Sequence, residues 1–305
     1  MPEESLQISE LRAFAEGQVG LAVLGCPIAH SISPQLHNAA LKKMSETNPI
    51  YAHWHYHKIE VPSSELSEAL PRLAELGYRG INLTIPHKVE VLPLVDLIDE
   101  EAKVMGAVNT LRWSGTGWAG SNTDGYGLEK GVAGNLGVAL ESSEVLVLGA
   151  GGAARAAVAK CLLRGCAKVW VGNRSLGRLS EMSKALGEVF GEERIHPFAL
   201  SEMPPEIREL DNLLVINATS LGLRENDPSP LSLSGLPSGA KVYDMIYSPP
   251  ETALLKEAES LGMSGANGLS MLVHQAAKAL EIWSGDRVPS EVMLREAKPA
   301  MEVER

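Results

Sequence analysis

Cysteine is scarce in this sequence and long apolar runs are absent, and both features narrow the class of protein. The 305 residues include 3 cysteines, whose spacing matches neither a zinc site nor a disulfide framework: Cys26, Cys161 and Cys166. We therefore expect a reducing, cytoplasmic location. No stretch approaches the roughly 18 uninterrupted apolar residues of a membrane span. Residues 1–20 also lack the apolar core of a signal peptide, so we expect no leader and no membrane association.

Clustered positive charge is missing as well. The chain carries a net charge of −11 and shows no dense group of lysine and arginine residues. Nucleic-acid binding needs such a group to neutralise phosphates, so we expect no nucleic-acid partner. An anionic substrate would have to be held by a few local donors.

Metal ligands are also sparse. His53, His55 and His57 alternate along residues 51–57, which predicts a strand with three histidines on one face. A zinc site needs further ligands and an outer shell, and no second group of ligands is visible. We interpret this face as solvated and expect no metal.

Residues 80–88 form a segment with a clear structural pattern, a predicted strand followed by a turn that carries Lys88. Ile81, Leu83 and Ile85 alternate with polar residues, which predicts a strand with one apolar face. Pro86 should end that strand and suits the first turn of a helix. Lys88 would then lie just past the strand end, either as a surface lysine on the turn or as a functional group beside the polar face.

Two further segments of the first half bring polar groups to element ends. Ser31-Ile32-Ser33-Pro34 precedes a helical pattern over 34–45, where the hydroxyls could cap the helix or hold a carboxylate. Residues 107–113 and 117–121 flank strong turn residues and predict a hairpin. Asp124 follows the hairpin, and we interpret it as the N-cap of a helix over 125–136 and as the domain boundary.

The second half opens with a nucleotide-binding pattern. An apolar strand over 144–148 runs into Gly149-Ala150-Gly151-Gly152-Ala153-Ala154, followed by a helical pattern over 156–163. This is the G-x-G-x-x-A arrangement, in which the first glycine makes the tight turn and the second lets the backbone approach a pyrophosphate. The pattern predicts a dinucleotide site.

The next strand suggests which dinucleotide. Residues 168–172 lead into Asn173-Arg174-Ser175, with no acid before Glu181. An NAD site would place an acid there for the ribose hydroxyl, so the arginine favours the 2′-phosphate of NADP. The alternative is an exposed arginine on a loop. Strands predicted over 212–217 and 241–245 end in further candidates by position alone.

Taken together, these motifs resemble the shikimate dehydrogenase family from Val19 to about Val288. The segments that carry the resemblance are Ser31-Ile32-Ser33-Pro34, Asn82-Leu83-Thr84-Ile85-Pro86-His87-Lys88, Gly106-Ala107-Val108-Asn109-Thr110, Asn122-Thr123-Asp124-Gly125, Gly149-Ala150-Gly151-Gly152-Ala153, Asn217-Ala218-Thr219-Ser220 and residues 268–275. The resemblance implies an α/β fold with two domains. A substrate-binding catalytic domain would comprise 1–123 plus 268–305, with the C-terminal helices returning to it, and a doubly wound, Rossmann-type NADP-binding domain would comprise 124–267.

The resemblance also implies residue roles. Lys88 and Asp124 would be catalytic. The substrate would be bound by Ser31, Ser33, Thr84, Lys88, Asn109, Asp124, Tyr247 and Gln275. NADP would be bound by Gly149, Ala150, Gly151, Gly152, Ala153, Asn173, Arg174, Ser175, Arg178, Thr219, Met245 and Gly268. Two positions depart from the family pattern, which often has threonine at Ser175 and a glycine at Ser270.

The implied reaction is the reversible, NADPH-dependent reduction of 3-dehydroshikimate to shikimate in aromatic amino acid biosynthesis. A ketone that accepts hydride develops alkoxide character, so we expect Lys88 to donate a proton and Asp124 to orient both the lysine and a substrate hydroxyl. A quinate or dual quinate/shikimate dehydrogenase is one alternative, and a non-catalytic ligand-sensing homologue is another. The expected partner is a small-molecule substrate, and a homodimer is left open.

Overall fold

The computed structural model describes residues 4–303, and the chain divides into two compact α/β units. One unit comprises Met1–Asp124 and Val273–Arg305, and the other comprises Gly125–Leu272. The C-terminal helices therefore belong to the first unit, as the resemblance implied. The two-domain α/β fold class is confirmed.

The first unit contains a seven-stranded sheet. Its strands are β1 (Leu6–Gln7), β2 (Val19–Gly25), β3 (Trp54–Glu60), β4 (Tyr78–Leu83), β5 (Leu97–Ile98), β6 (Thr110–Trp113) and β7 (Trp118–Ser121), and its first helices are α1 (Ser33–Ser45), α2 (Leu66–Glu75), α3 (His87–Glu90) and α4 (Glu100–Met105). The strand order is β1-β3-β2-β4-β6-β7-β5. Strand β2 is apolar and buried because it lies inside the sheet, between β3 and β4.

Strand direction brings several strand ends to one edge of this sheet. Strands β2 and β4 are parallel, β6 is antiparallel to β4, and β7 is antiparallel to β6. The carboxyl ends of β2, β4 and β7 therefore share an edge with the amino end of β6. The segments that follow or precede these ends carry most of the predicted substrate residues.

The prediction of one strand with three histidines is wrong at its start. His53 lies in a 3-10 helix, Pro49–His53, and only His55 and His57 lie on β3. Phe14 stacks on both rings, with centroid distances of 6.1 and 5.8 Å, so this face is partly covered by the N-terminal segment. His57 Nδ1 also lies 2.7 Å from the Tyr78 hydroxyl. Among residues 4–303, no group of three His, Cys, Asp or Glu residues could hold a metal ion.

The second unit contains a six-stranded parallel sheet. Its strands are β8 (Glu144–Leu148), β9 (Val169–Asn173), β10 (Ile195–Ala199), β11 (Leu213–Asn217), β12 (Lys241–Asp244) and β13 (Ser264–Ala266); the helices from here to the end of the chain are α5 (Asp124–Leu136), α6 (Gly152–Leu163), α7 (Leu176–Phe190), α8 (Ala253–Ser260), α9 (Leu269–Ser284) and α10 (Ser290–Val303). The strand order is β10-β9-β8-β11-β12-β13. Counted from β8, this is the 3-2-1-4-5-6 order of a doubly wound dinucleotide-binding sheet.

Ligands in such sheets bind where the strand order reverses, beyond the carboxyl ends of the strands. Here the reversal falls between β8 and its neighbour β11. Residues 145–148 of β8 are fully buried because a central parallel strand is covered on both faces. In the part of the chain that the structure describes, no helix has the length and apolar character to cross a bilayer.

Candidate active site

A lysine and a carboxylate meet at the shared edge of the first sheet. Lys88 lies on α3, just after the carboxyl end of β4, and Asp124 follows β7 as the first residue of α5. The Lys88 Nζ donates to Asp124 Oδ2 at 2.7 Å. The side chains are 32% and 17% exposed, so the pair is reachable yet held in place.

Asp124 does not act as a side-chain cap in the way we interpreted it. Its backbone N–H is bound by Asn122 Oδ1 at 2.9 Å, and its carboxylate is directed to Lys88 and to Asn109. The Asn122 side chain therefore provides the helix-start hydrogen bond. The Asp124 carboxylate is therefore not used to cap α5 and can pair with Lys88.

Asn109 connects the pair to other predicted substrate residues. It precedes the amino end of β6, and its Nδ2 donates to Asp124 Oδ1 at 2.9 Å and lies 3.3 Å from Gln275 Oε1. Gln275 is a half-buried residue of α9, which places it in the first unit. The structure thus brings together four predicted residues from four segments, namely Lys88, Asn109, Asp124 and Gln275.

The two predicted serines lie after the carboxyl end of β2. Ser31 Oγ and Ser33 Oγ are 3.2 Å apart at the start of α1. The N-cap position of α1 is occupied by Ile32, whose side chain makes no cap, and Ser31 Oγ accepts from the Ser33 backbone N–H at 3.4 Å. Thr84, half-buried, follows β4 and lies against Gly25, where an added Cβ would come within 2.5 Å of the threonine methyl. Tyr247 lies in the second unit, where it is half-buried after β12.

The glycine turn of the second unit has the geometry that its sequence predicts. Gly149 follows β8 with φ +119°, and a Cβ there would lie 2.9 Å from the Ala218 oxygen, so only glycine fits without strain. Gly151 and Gly152 face open space, and the exposed run continues through Ala153. The first turn of α6 has no acidic residue. Free N–H groups at a positive helix end suit a phosphate. Ala150, also half-buried, lies within the same turn.

The predicted 2′-phosphate residues surround the end of β9. Asn173 closes the strand, and its Nδ2 donates to the Ser175 oxygen at 2.9 Å, which shapes the loop. Arg174, Ser175 and Arg178 are exposed on that loop and on the first turn of α7. Two guanidinium groups with no acid between them favour a dianionic phosphate.

The remaining predicted cofactor residues, Thr219, Met245 and Gly268, lie after β11, β12 and β13. Thr219 is held by Asn217, whose Oδ1 accepts from the threonine N–H at 3.0 Å and hydroxyl at 2.8 Å. The Met245 N–H donates to the Asn217 oxygen at 3.0 Å. A Cβ at Gly268 would lie 2.2 Å from the Met245 oxygen, so the two backbones can approach only because residue 268 is glycine.

Our sequence reasoning missed the residues that support these groups. Asp244 is buried at the end of β12 and accepts from Asn217 Nδ2 at 3.0 Å and from the Thr252 hydroxyl at 2.7 Å. Burial raises the pKa of Asp244, and these hydrogen bonds act against the rise. In the first unit, Asn82 and Thr123 bind Asn109. Asn82 and Thr123 both lie in the motifs that carry the resemblance. Their position next to predicted site residues in the sequence could have indicated this supporting role.

The doubly wound unit with its glycine turn, together with an α/β unit that bears a lysine–aspartate pair, defines a two-domain dehydrogenase. Three family models match the chain: "Shikimate dehydrogenase substrate binding domain" over residues 23–111, "Shikimate / quinate 5-dehydrogenase" over 132–223 and "Shikimate 5'-dehydrogenase C-terminal domain" over 268–298. The chain belongs to the shikimate dehydrogenase family.

Similarity to individual relatives extends over most of the chain. The shikimate dehydrogenase (NADP(+)) of Geobacter metallireducens is 41% identical over 283 residues, which cover 92% of this chain and 96% of the relative. That of Bacillus subtilis is 38% identical over 89% of this chain and 93% of its own length. The crystal structure of the Thermus thermophilus shikimate 5-dehydrogenase in complex with NADP(H) and shikimate has 33% identity and a TM-score of 0.80, covering 93% of this chain and 100% of that one.

Proposed function

We propose that the protein catalyses the reversible reduction of 3-dehydroshikimate to shikimate with NADPH. The observation that carries the proposal is the 2.7 Å contact between Lys88 Nζ and Asp124 Oδ2, with Asn109 on the second carboxylate oxygen. The membership of the chain in the shikimate dehydrogenase family supports the choice of substrate.

NADPH, when bound, supplies the hydride that reduces the ketone. Lys88 donates the proton to the alkoxide oxygen that develops as the carbonyl is reduced, and it takes that proton back in the reverse direction. Asp124 keeps the ammonium in place by accepting its hydrogen bond. The aspartate oxygens have about four lone-pair positions between them. The bonds to Lys88 and Asn109 occupy two of these, so a substrate hydroxyl can be bound by another.

The other substrate contacts are proposed from position and residue type. Ser31, Ser33 and Thr84 offer hydroxyls at the sheet edge that also carries Lys88. Asn109 and Gln275 offer amides that can bind ring hydroxyls, and a substrate contact by the Tyr247 phenol stays a prediction. The domain bounds, 1–123 plus 268–305 for the substrate-binding domain and 124–267 for the NADP-binding domain, stay a prediction, and Asp124 and Gly268 lie at the two boundaries.

The cofactor proposal rests on how the second unit would accommodate a dinucleotide. Gly151 and Gly152, where a Cβ would meet open space, leave room for a pyrophosphate at the start of α6, and Arg174 and Arg178 would bind the 2′-phosphate. Ser175 can donate its hydroxyl to the same phosphate. Thr219, Met245 and Gly268 follow the carboxyl ends of β11, β12 and β13 and would bind the nicotinamide half.

One assay tests this function. Initial rates of NADP⁺ and NAD⁺ reduction are measured with shikimate and with quinate, side by side, on the purified chain. We expect shikimate with NADP⁺ to give the highest kcat/KM. A preference for quinate with NAD⁺ would support the quinate dehydrogenase alternative, and binding of shikimate without turnover would support the sensing homologue.

Two further proposals concern the setting of the enzyme. A cytoplasmic location is supported by the three cysteines, all of which are free thiols in the structure. A homodimer stays a prediction, and the mass measured by light scattering at micromolar concentration tests it.

A further inference from the structure

We propose that Tyr56 is a positioning residue for the lysine–aspartate pair and acts through a buried chain of hydrogen bonds. Tyr56 lies on β3, and none of the segments that carry the family resemblance includes it. The inference rests on the proposed function, because it assigns Tyr56 a role in the same reaction. It concerns contacts within the first unit alone.

The first part of this hydrogen-bond chain runs from β3 to β6 through β4. The Tyr56 hydroxyl donates to Asn82 Oδ1 at 2.8 Å. Asn82 Nδ2 then donates to Thr110 Oγ1 at 3.1 Å and to the Asn109 backbone oxygen at 3.2 Å. The side chains of all three strands are buried at this point, so water does not compete for these bonds.

The second part of the hydrogen-bond chain ends at the Asp124 carboxylate. Thr110 Oγ1 donates to Asn109 Oδ1 at 2.9 Å, and Asn109 Nδ2 donates to Asp124 Oδ1 at 2.9 Å. Lys88 binds the other oxygen of Asp124. Four hydrogen bonds therefore lead from the Tyr56 hydroxyl to the aspartate of the pair, through the side chains of Asn82, Thr110 and Asn109.

The direction of every bond in this chain follows from groups that can only donate or only accept. The backbone N–H of Thr123 donates to Asn109 Oδ1 at 2.8 Å, so that amide must present its Nδ2 to Asp124. The Asn109 backbone oxygen can only accept, so Asn82 must present its Nδ2 there and its Oδ1 to Tyr56. Asn82 Oδ1 thus needs a donor, and the Tyr56 hydroxyl is the group that provides it.

The surroundings of Tyr56 keep that hydroxyl a donor. Burial raises the pKa of Tyr56 well above its ordinary value, and a hydrogen bond with Ser33 acts in the opposite direction. The phenol therefore keeps its proton at neutral pH. Its ring stacks on His37, with a centroid distance of 4.0 Å and an interplanar angle of 3°. Because phenylalanine would keep this stacking, Tyr56→Phe removes the hydroxyl alone.

Tyr78 supplies a matched control. It is a second fully buried tyrosine of the same sheet, but its hydroxyl contacts His57 Nδ1 at 2.7 Å and takes no part in the chain. Tyr56→Phe and Tyr78→Phe are compared by kcat/KM for shikimate, KM for NADP⁺ and Tm. We expect similar decreases in Tm. We expect kcat/KM for shikimate to fall about tenfold in Tyr56→Phe alone, with KM for NADP⁺ unchanged in both variants, because an unpaired buried acceptor disturbs the chain.

A second variant tests whether the effect travels along the chain. Thr110→Val removes the middle hydroxyl with little change of shape, and it replaces Tyr56→Phe if that variant does not fold. In the double variant, the loss of kcat/KM should not exceed the larger single loss, because both changes interrupt one path. Additive losses, or Tyr56→Phe and Tyr78→Phe with equal kcat/KM, would overturn the inference. Absence of shikimate turnover in the unmodified chain would instead overturn the proposed function.

Discussion

Replacement of Lys88 by alanine is the most informative test of the proton-transfer role. The substitution removes the ammonium whose Nζ lies 2.7 Å from Asp124 Oδ2. The Asp124 carboxylate still accepts from Asn109 Nδ2, and the Asp124 backbone N–H still donates to Asn122 Oδ1, so the carboxylate should stay in place. The two expected effects, on the rate and on the stability, therefore differ greatly in size.

The catalytic loss should be the larger effect. General acid–base catalysis contributes about 10²–10⁴-fold, which corresponds to about 3–5 kcal/mol of transition-state stabilisation. The ion pair is partly exposed, with 32% of the lysine side chain accessible, so its loss should cost about 1 kcal/mol of folding free energy or less. That cost corresponds to a decrease in Tm of about 2–4 °C.

The assay is kcat for shikimate oxidation at saturating NADP⁺, with Tm measured on the same samples. Lys103→Ala is the control, because Lys103 also pairs with an acid, Glu100 at 2.6 Å, on the exposed face of α4. It should leave kcat unchanged. Lys88→Arg keeps the positive charge but cannot release a proton, so it should be nearly as slow as Lys88→Ala. A fall of less than about tenfold in Lys88→Ala would refute the reasoning, and full activity in Lys88→Arg would reduce the role of Lys88 to charge alone.

Three other outcomes are expected. Arg174→Ala should reduce kcat/KM for NADP⁺ by about 10- to 100-fold and leave that for NAD⁺ unchanged. Lys184→Ala, on the helix α7 that follows this loop, should change neither. Equal losses with both cofactors would remove the 2′-phosphate assignment. Gly149→Ala forces a Cβ to within 2.9 Å of the Ala218 oxygen at a φ of +119°. It should therefore lower the free energy of unfolding by about 1–3 kcal/mol and weaken NADP⁺ binding in a fluorescence titration. Gly134→Ala, where a Cβ meets open space, should change neither quantity. Burial lowers the pKa of His37 from 6.5 to about 3, so the unfolded chain binds a proton at pH values where the folded chain does not. The resulting stability is present above pH 6.5 and lost as the pH falls toward 3, by about 1.4 kcal/mol per pH unit. Urea unfolding at pH 7 and pH 5 should show a loss that His37→Phe reduces by about 2 kcal/mol; an unchanged pH dependence in that variant would contradict this account.

Sequence reasoning succeeded where the local pattern decides the structure. The strand over 144–148, the glycine turn and the following helix appear as predicted, because apolar runs and glycine conformations act over a few residues. It was less accurate at residues 51–57, where the alternating histidines predicted a longer strand than the one that begins at Trp54. A 3-10 helix opened by Pro49 takes the first part of that segment, and an alternating pattern cannot reveal such a helix.

By itself, the sequence determined the order of the elements, the glycine turn, the polar residues at the ends of strands and the family. The tertiary structure alone decided which polar groups bind each other. Asn109 contacts Gln275, 166 positions further along the chain, and the Tyr56 hydroxyl is linked to Asp124 through Asn82 of β4, Thr110 of β6 and Asn109. Such partners depend on strand order and register, which distant parts of the chain fix through burial and pairing. No local pattern of residues contains that information.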